Sequence, residues 1–204
     1  MTDADRALLA SRPDLATIAQ WVAPNARVLD LGCGDGMLLR YLWKERGSHG
    51  YGVEIDDAKV GASVRNDVNV LQMDLESGLS AFGDGSFDYV ILSQTLQAMR
   101  HTEDIMREMV RVGREAIVSF PNFGHWASRL QVVKGRMPVS ESLPHAWYNT
   151  PNLHFLSMLD FRDLCRQMQV RIVQETPIIH GQSAAGAWAA NLRADSALYV
   201  LEHE

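Results

Sequence analysis

The feature that most constrains the fold is a glycine-rich turn directly after a short apolar strand. The strand is Arg27–Leu31, and the turn follows it as Gly32-Cys33-Gly34-Asp35-Gly36. Glycine has no Cβ, so a turn of this kind bends sharply and lets the backbone approach a ligand closely. The next segment carries apolar residues at helical spacing, namely Met37, Leu38, Tyr41 and Leu42. A strand, a glycine turn and a helix in this order predict an open α/β sheet with a ligand site at the turn.

Apolar strands continue to alternate with helices in the first part of the chain. Further strands are predicted at His49–Ile55, Val68–Met73, Phe87–Leu92 and Glu115–Phe120. A helix before the first strand is marked by Leu15, Ile18, Ala19 and Val22, with Ser11 as its N-cap, Pro13 in its first turn and Pro24 at its end. Another helix passes through Ile105, Met106, Met109 and Val110. This alternation predicts a parallel sheet with right-handed crossovers.

The pattern changes after Pro121. Residues 121–156 show no steady period, and no element is predicted there. A predicted helix at Asp160–Met168 is followed by two strands, Val170–Glu175 and Ala197–Glu202. The residues between these strands include two glycines and a serine, which favours a long hairpin loop over a crossover helix. The last strand is therefore expected to be antiparallel, and residues 1–204 are expected to form one domain.

The charge balance and the cysteine count argue against several classes of function. The chain has 19 basic and 25 acidic residues, a net charge of −6 and no basic run, which argues against a nucleic-acid partner. No apolar run approaches the roughly 20 residues that span a bilayer, and the acidic N-terminus lacks the features of a secretory signal. Cys33 and Cys165 are too few for a disulfide framework and lack metal-site spacing. We therefore expect a cytoplasmic protein that binds no metal, membrane or nucleic acid.

Two acids distinguish this turn from a dinucleotide site. The dinucleotide fingerprint is Gly-x-Gly-x-x-Gly, and it rests a pyrophosphate on the helix N-terminus. Here the third glycine is Gly36, and Met37 occupies the dinucleotide position. Asp30 and Asp35 flank the turn; they would repel a pyrophosphate but suit the ammonium and sulfonium groups of S-adenosylmethionine (SAM). We therefore expect SAM, or its product S-adenosylhomocysteine (SAH), rather than NAD.

Two later strands also end on polar residues. Glu54 ends the second strand, where a carboxylate accepts hydrogen bonds from a ribose diol. The alternative is an exposed acid that caps the next helix, a role that fits Asp56 better. Asp74 and Leu75 follow the third strand, where a side chain and a backbone N–H could bind the adenine edge; a turn-forming Asp is the alternative. The predicted SAM-binding residues are Asp30, Gly32, Cys33, Gly34, Glu54, Ile55, Asp74, Leu75 and Ser93.

No catalytic residue is predicted. The fourth strand leads into Ser93-Gln94-Thr95-Leu96-Gln97, which has hydrogen-bonding groups but no obvious general base. His101 is interpreted as a surface or capping histidine. Cys33, within the glycine turn, is interpreted as a small packing residue rather than a nucleophile.

Two aromatic segments in the second half have more than one interpretation. The first, Phe120–Trp126, could line an acceptor pocket with polar groups or form a rigid loop that packs internally or against another protein. The second, Pro138–His154, has the same character. Tyr and Trp are common anchors of protein interfaces. The candidate substrate or partner residues are Asn122, His125, Trp126, Trp147 and Tyr148.

The segment Val28–Gly36 closely resembles the first motif of class I SAM-dependent methyltransferases. The resemblance implies a Rossmann-like, mostly parallel seven-stranded sheet with an antiparallel last strand and helices on both faces. It also implies that the residues of the turn surround the methionine end of SAM and that the acid at Glu54 binds the ribose. The Ser93–Gln97 segment departs from the Asn/Asp-Pro-Pro-aromatic sequence of many amino-methylating relatives.

Other segments resemble the MetW family of methionine-biosynthesis proteins more specifically. They are Arg12–Leu15, Ser93–Gln97, Ser119–Trp126, Gly135–Val139 and Trp147–His154, so the resemblance covers roughly residues 12–175. It implies a role beside MetX, the homoserine O-acyltransferase, as a partner or activating subunit. In that case SAM, the distal product of the pathway, could regulate the complex by feedback. The alternatives are an active methyltransferase for an unidentified small molecule and a structural domain with an empty pocket.

Overall fold

The computed structural model describes residues 11–203, which surround one eight-stranded sheet. The strands are β1 (Arg27–Leu31), β2 (His49–Glu54), β3 (Val70–Gln72), β4 (Phe87–Ser93), β5 (Gly113–Pro121), β6 (Val170–Ile179), β7 (Gln182–Ser183) and β8 (Ser196–His203). Their order is β3-β2-β1-β4-β5-β8-β6-β7, with β1 to β5 parallel. β8 is antiparallel to both of its neighbours. The expected mostly parallel α/β sheet with an antiparallel last strand is confirmed. It has eight strands instead of the expected seven, because the short strand β7 pairs with β6 at the edge.

Helices cover both faces of the sheet, as expected. They are α1 (Pro13–Trp21), α2 (Met37–Arg46), α3 (Asp57–Arg65), α4 (Thr102–Val112), α5 (Trp126–Val133), α6 (Met158–Gln167) and α7 (Ala190–Arg193), with 3-10 turns at Leu75–Ser77 and Leu96–Ala98. On one face Ile18 of α1 and Leu42 of α2 belong to the same buried cluster as Val28. On the other face Met106 of α4 belongs to the same cluster as Leu29. Neighbouring strand residues therefore bury opposite faces, which gives the sheet two cores.

Several element boundaries differ from the sequence-based predictions. The predicted N-cap at Ser11 is wrong, because α1 begins at Pro13 and Arg12 is the flanking residue, with no side-chain capping bond. α6 begins at Met158, where Ser157 and Asp160 form a capping box. The segment between β6 and β8, predicted to be a hairpin loop, contains the two-residue strand β7 and the short helix α7. No helix within residues 11–203 combines the length and apolar character needed to cross a membrane.

A close contact between β2 and the glycine turn positions the turn on the sheet. Gly52 of β2 lies against the side chain of Cys33, and a Cβ at position 52 would lie 2.4 Å from the Cys33 sulfur. Only a residue without a side chain therefore fits at this point of β2. The turn after β1 and the middle of β2 pack together because of this glycine.

We predict that Gly52→Ala destabilises the protein by about 1–3 kcal/mol, because the added methyl overpacks against Cys33. Urea denaturation measures the change in the free energy of unfolding. Gly83→Ala is the matched control, since a Cβ there would meet no atom within 4 Å. Equal stability of the two variants would contradict the proposed packing constraint.

Candidate functional site

The glycine turn lies at the carboxyl end of β1, beside the end of β2. The backbone N–H groups of Gly32 and Cys33 donate to the Val53 carbonyl at 2.8 and 3.0 Å. Gly34 has a φ of 61°, a left-handed conformation that favours glycine. A Cβ on Gly34 would meet no atom within 4 Å, whereas one on Gly36 would lie 2.9 Å from Val68. The turn therefore has open space beside Gly34 and a packed side at Gly36.

Glu54 fastens the turn to the end of β2. Its Oε2 accepts a hydrogen bond from the Gly34 N–H at 3.0 Å. Its Oε1 accepts from the N–H groups of Ile55 and Asp56 at 2.9 and 3.0 Å. A carboxylate offers about four acceptor positions, so these bonds leave about one for another donor. Asp56 caps α3 by accepting from the Lys59 N–H, which is the helix-capping role expected of it.

Asp30 is a buried acid just before the turn. Asp30 is only 4 % exposed, and no residue in the range 11–203 donates a hydrogen bond to its carboxylate. Burial raises the pKa of Asp30 to about 7, while the charge of Arg12 lowers it and that of Glu54 raises it. A buried carboxylate without a donor destabilises a protein, because its charged form loses hydration. A cationic ligand group would relieve that cost.

Cys33 faces the packed side of the turn. Its sulfur lies 3.9 Å from the Ser63 hydroxyl, and burial raises the pKa of the thiol to about 12. The protonated thiol agrees with the interpretation of Cys33 as a packing residue. Only the backbone of Cys33 is placed to contact a ligand at the open side of the turn.

The predicted adenine-binding residues lie at the ends of β2 and β3. Ile55 exposes its apolar side chain directly after Glu54. Asp74 is exposed and accepts a hydrogen bond from the Glu76 N–H at 2.9 Å, which is the turn-forming role considered as its alternative. Leu75 begins a 3-10 turn, where a backbone N–H has no partner within the helix. These positions remain compatible with a bound adenine.

Ser93, at the end of β4, belongs to a polar network at the mouth of the site. Its hydroxyl donates to Asp14 Oδ2 at 2.9 Å and lies 3.1 Å from the Ser119 hydroxyl. Arg12 donates to both carboxylate oxygens of Asp14, at 2.9 and 2.7 Å. The Arg12 Nη2 also lies 3.3 Å from the Ser93 hydroxyl. Four residues from α1, β4 and β5 are thereby joined beside the turn.

Sequence reasoning assigned no function to Arg12 or Asp14. An arginine two residues before an acid at a helix start is an ordinary surface pattern. The contact with Ser93 spans 81 positions of the sequence, so no local signal predicts it. Both residues lie in the Arg12–Leu15 segment, which resembles MetW. That resemblance was the one indication that they could have a function.

The segment after β4 offers hydrogen-bonding groups. Gln94 has a φ of 52°, unusual for a non-glycine residue, and a Cβ on Gly32 would lie 2.9 Å from the Thr95 hydroxyl. His101, which was interpreted as a surface or capping residue, flanks α4 without a capping bond. It is exposed and pairs with Glu76 at 2.7 Å.

Asn122 and His125 are turned inward. The Asn122 side chain is buried and donates to the carbonyls of Asn191 and Ala194 at 3.0 and 2.9 Å. Its oxygen accepts from the Gly124 N–H. His125 caps α5 by accepting from the Ala127 N–H through Nδ1, and its side chain is mostly buried. Both side chains are therefore used in internal hydrogen bonds, and their role at an acceptor pocket or a partner surface stays a prediction.

The predicted aromatic residues of this region are exposed. Trp147 and Tyr148 are 72 % and 74 % exposed, and Trp126 is half exposed. The rings of Trp147 and Tyr148 contact each other edge to face, with centroids 5.7 Å apart. Further exposed apolar residues in residues 126–155 are Leu130, Val132, Val133, Met137, Val139, Leu153 and Phe155. We call residues 126–155 the aromatic segment.

Comparison with solved structures confirms the fold. A SAM-dependent methyltransferase from Thermotoga maritima matches with a TM-score of 0.67 and 19 % identity, covering 99 % of this chain and 95 % of that chain. Magnesium protoporphyrin IX methyltransferase from Synechocystis PCC 6803, solved with bound SAH, matches with a TM-score of 0.65 and 17 % identity over 96 % of this chain and 84 % of its own. The chain therefore has the Rossmann-like fold of SAM-dependent methyltransferases.

Sequence comparison identifies a narrower group. The bifunctional methionine biosynthesis protein MetXA/MetW of Rhodopirellula baltica is 37 % identical, covering 94 % of this chain and 33 % of the relative. The chain thus spans about a third of the length of that relative. The family model described as methionine biosynthesis protein MetW matches residues 12–201. The chain belongs to the MetW family.

Proposed function

We propose that the carboxyl edge of β1, β2 and β3 binds SAM or SAH. The observation that carries this proposal is Asp30, a buried carboxylate with no donor from residues 11–203, beside the open side of a glycine turn. The ligand's amino-acid end carries an ammonium group, which would neutralise such a carboxylate. The SAH bound to the Synechocystis methyltransferase supports a ligand of this class on the same fold.

The remaining strand ends fit the nucleoside part of this ligand. Glu54 retains about one acceptor position for a ribose hydroxyl, since its other positions are occupied by backbone N–H groups. The exposed apolar side chain of Ile55 would lie against the adenine ring. Asp74 and the N–H of Leu75 would bind the adenine edge. When bound, SAM supplies an activated methyl group.

We further propose that the protein acts as a partner or activating subunit of the homoserine O-acyltransferase MetX. Its relative in Rhodopirellula baltica is described as a bifunctional MetXA/MetW protein, and this chain matches about a third of it. Fusion of two domains in one chain raises their effective concentration, which favours parts that work together. The proposed partner is therefore a homoserine O-acyltransferase of the MetX type.

The aromatic segment is the proposed contact surface for that partner. Its exposed side chains Trp126, Trp147 and Tyr148 are of the types that anchor interfaces. The two polar candidates that precede this segment, Asn122 and His125, are used in internal hydrogen bonds. The groups left at the surface are mainly apolar, which favours a protein partner over a small polar acceptor.

Hydrogen bonds and one close packing contact connect the proposed surface to the proposed SAM site. The Gln97 carbonyl accepts from the N–H groups of Leu153 and His154 at 2.8 and 3.0 Å. Within the same loop, Gln97 donates to the Gln94 carbonyl at 2.7 Å, and Thr95 contacts the turn at Gly32. Feedback by SAM requires different affinities for the free and the complexed protein. This loop is a physical route by which the two sites could influence each other.

We predict that the protein co-elutes with MetX and raises its acylation rate. The double variant Trp147→Ala/Tyr148→Ala is expected to weaken the complex by about tenfold or more, because aromatic residues at interfaces carry much of the binding energy. Size-exclusion chromatography and an acylation assay measure both effects. Trp188→Ala is the matched control, because Trp188 is 81 % exposed and lies outside the aromatic segment. Equal effects of the two variants would contradict the proposed surface.

The same assay, repeated over a range of SAM concentrations, tests the feedback proposal. An acylation rate that does not respond to SAM, in a complex that binds SAM, would exclude regulation. Production of SAH from SAM with a cell metabolite pool would instead support the alternative of an active methyltransferase. Persistent absence of SAH production, alongside confirmed SAM binding, would count against that alternative.

We predict that Glu54→Ala weakens SAM binding by at least about tenfold, because a hydrogen bond to a charged group contributes about 1.5–3 kcal/mol. Isothermal titration calorimetry measures the affinity, and thermal denaturation reports how far the turn is disturbed. Asp56→Ala is the control: it removes a nearby acid that caps α3. An unchanged affinity in Glu54→Ala would refute the ribose contact.

We predict that Asp30→Asn weakens SAM binding and stabilises the ligand-free protein at high pH. Because the pKa of Asp30 is raised from 3.8 to about 7 in the folded protein, the folded state holds this proton more tightly than the unfolded state. Ionisation of Asp30 therefore costs stability as pH rises through this range, and the cost is complete above about pH 7. Asparagine does not titrate, so the variant avoids this cost.

Thermal denaturation of both proteins at about pH 5 and about pH 8 measures this effect. The melting temperature of the variant minus that of wild type is the quantity compared. This difference is expected to be larger at pH 8 than at pH 5 by about 3 °C or more. A difference that is the same at both pH values would contradict the raised pKa of Asp30.

A further inference from the structure

The Arg12 guanidinium is held in a fixed orientation at the mouth of the proposed SAM site. Nε and Nη2 donate to the two oxygens of Asp14 at 2.9 and 2.7 Å, a bidentate arrangement. Asp14 is itself buried and accepts a third bond from the Ser93 hydroxyl. Because Nη2 also donates to the Ser93 hydroxyl, Nη1 is the nitrogen left to donate to a ligand, and the anchored planar group fixes its direction.

Arg12 lies at the carboxyl end of β4, beside the proposed site. Its charge interacts with both Asp30 and Asp35, and its Nη2 lies 3.3 Å from Ser93 at the end of β4, the strand next to β1. Leu29 and Leu31 belong to the core on the other face of the sheet. Because side chains alternate along a strand, Asp30 lies on the same face as Val28, which α1 covers. Nη1 makes no hydrogen bond to any residue of the described range 11–203.

A ligand with an amino-acid end presents two opposite charges to this region. Asp30 and Asp35 attract its ammonium group, but the same acids repel its carboxylate. A guanidinium beside them resolves the conflict, since its N–H groups match the geometry of a carboxylate. Arg12 is a basic side chain whose charge interacts with both acids.

We propose that Arg12 binds the carboxylate at the amino-acid end of SAM or SAH and that Asp14 is the positioning residue that orients it. This inference rests on the proposed SAM site and adds a determinant of specificity to it. The site then selects ligands with a complete amino-acid end. Decarboxylated SAM, which keeps the ammonium and sulfonium groups, and 5′-methylthioadenosine, which lacks the whole arm, would bind without help from Arg12.

Calorimetry of the full chain with SAM, decarboxylated SAM and 5′-methylthioadenosine tests the proposal. Arg12→Gln is expected to weaken SAM binding by about tenfold or more, with less than about a threefold change for the two ligands without a carboxylate. Asp14→Asn keeps the shape of the positioning residue and removes its charge. It is expected to show the same selectivity with a smaller loss.

Two controls keep the test decisive. Arg107→Gln removes an arginine that also pairs with carboxylates, Glu103 and Asp104, on the exposed face of α4, and it should leave all three affinities unchanged. If Arg12→Gln does not fold, Arg12→Lys retains the charge without the planar group and should still lose affinity for SAM selectively.

The outcomes separate this inference from the proposed function. Wild-type protein that binds none of the three ligands overturns the SAM site and this inference with it. Wild-type binding of SAM, with equal losses for all three ligands in Arg12→Gln, overturns the carboxylate contact alone.

Discussion

The proposed site depends on one buried carboxylate, that of Glu54. It accepts hydrogen bonds from the glycine turn at Gly34 and from the two residues that follow β2. Backbone N–H groups in an open turn have few partners of their own, and leaving them unpaired in a partly buried position is costly. Glu54 satisfies them and at the same time fixes the turn to the neighbouring strand. The shape of the cradle is therefore determined by β2 as much as by the glycines, with Gly52 allowing the close approach of Cys33.

Asp30 is a residue that lowers the stability of the folded protein at the proposed site. Its carboxylate is buried among groups that do not donate to it within residues 11–203, and burial shifts its pKa upward. An apolar residue there would be more stable, as with Val28 two positions earlier on the same face. Arg12 lowers the electrostatic cost only in part. Retaining an acid at such a cost is typical of a position organised for a charged ligand.

Much of the fold and part of the candidate site could be predicted from the sequence, because both depend on short-range patterns. Apolar runs indicated the strands, and the spacing of glycines and strand-end acids indicated the edge where Asp30 and Glu54 lie. The N-cap at Ser11 was wrong because proline favours the first helical position, so Pro13 makes Arg12 the flanking residue. Asn122 suggested a ligand group, but its partners lie about seventy positions away, near α7. The Arg12–Ser93 contact is equally long-range. Neither the apolar runs nor the spacing of glycines and acids predicts it.

The structure also bears on which function the second half of the chain supports. A pocket for a small polar substrate needs polar groups that converge on it. Asn122 instead joins the end of β5 to the region of α7, and His125 caps α5. The side chains left at the surface include the large aromatic groups of Trp147 and Tyr148. Their burial against another protein would remove apolar area from water at roughly 25 cal/mol per Å², a gain that a small polar acceptor would not match. The loop of residues 94–97 binds the aromatic segment through the Gln97 carbonyl and contacts the glycine turn through Thr95. A partner bound to the aromatic segment would therefore be linked to the proposed ligand site through this loop.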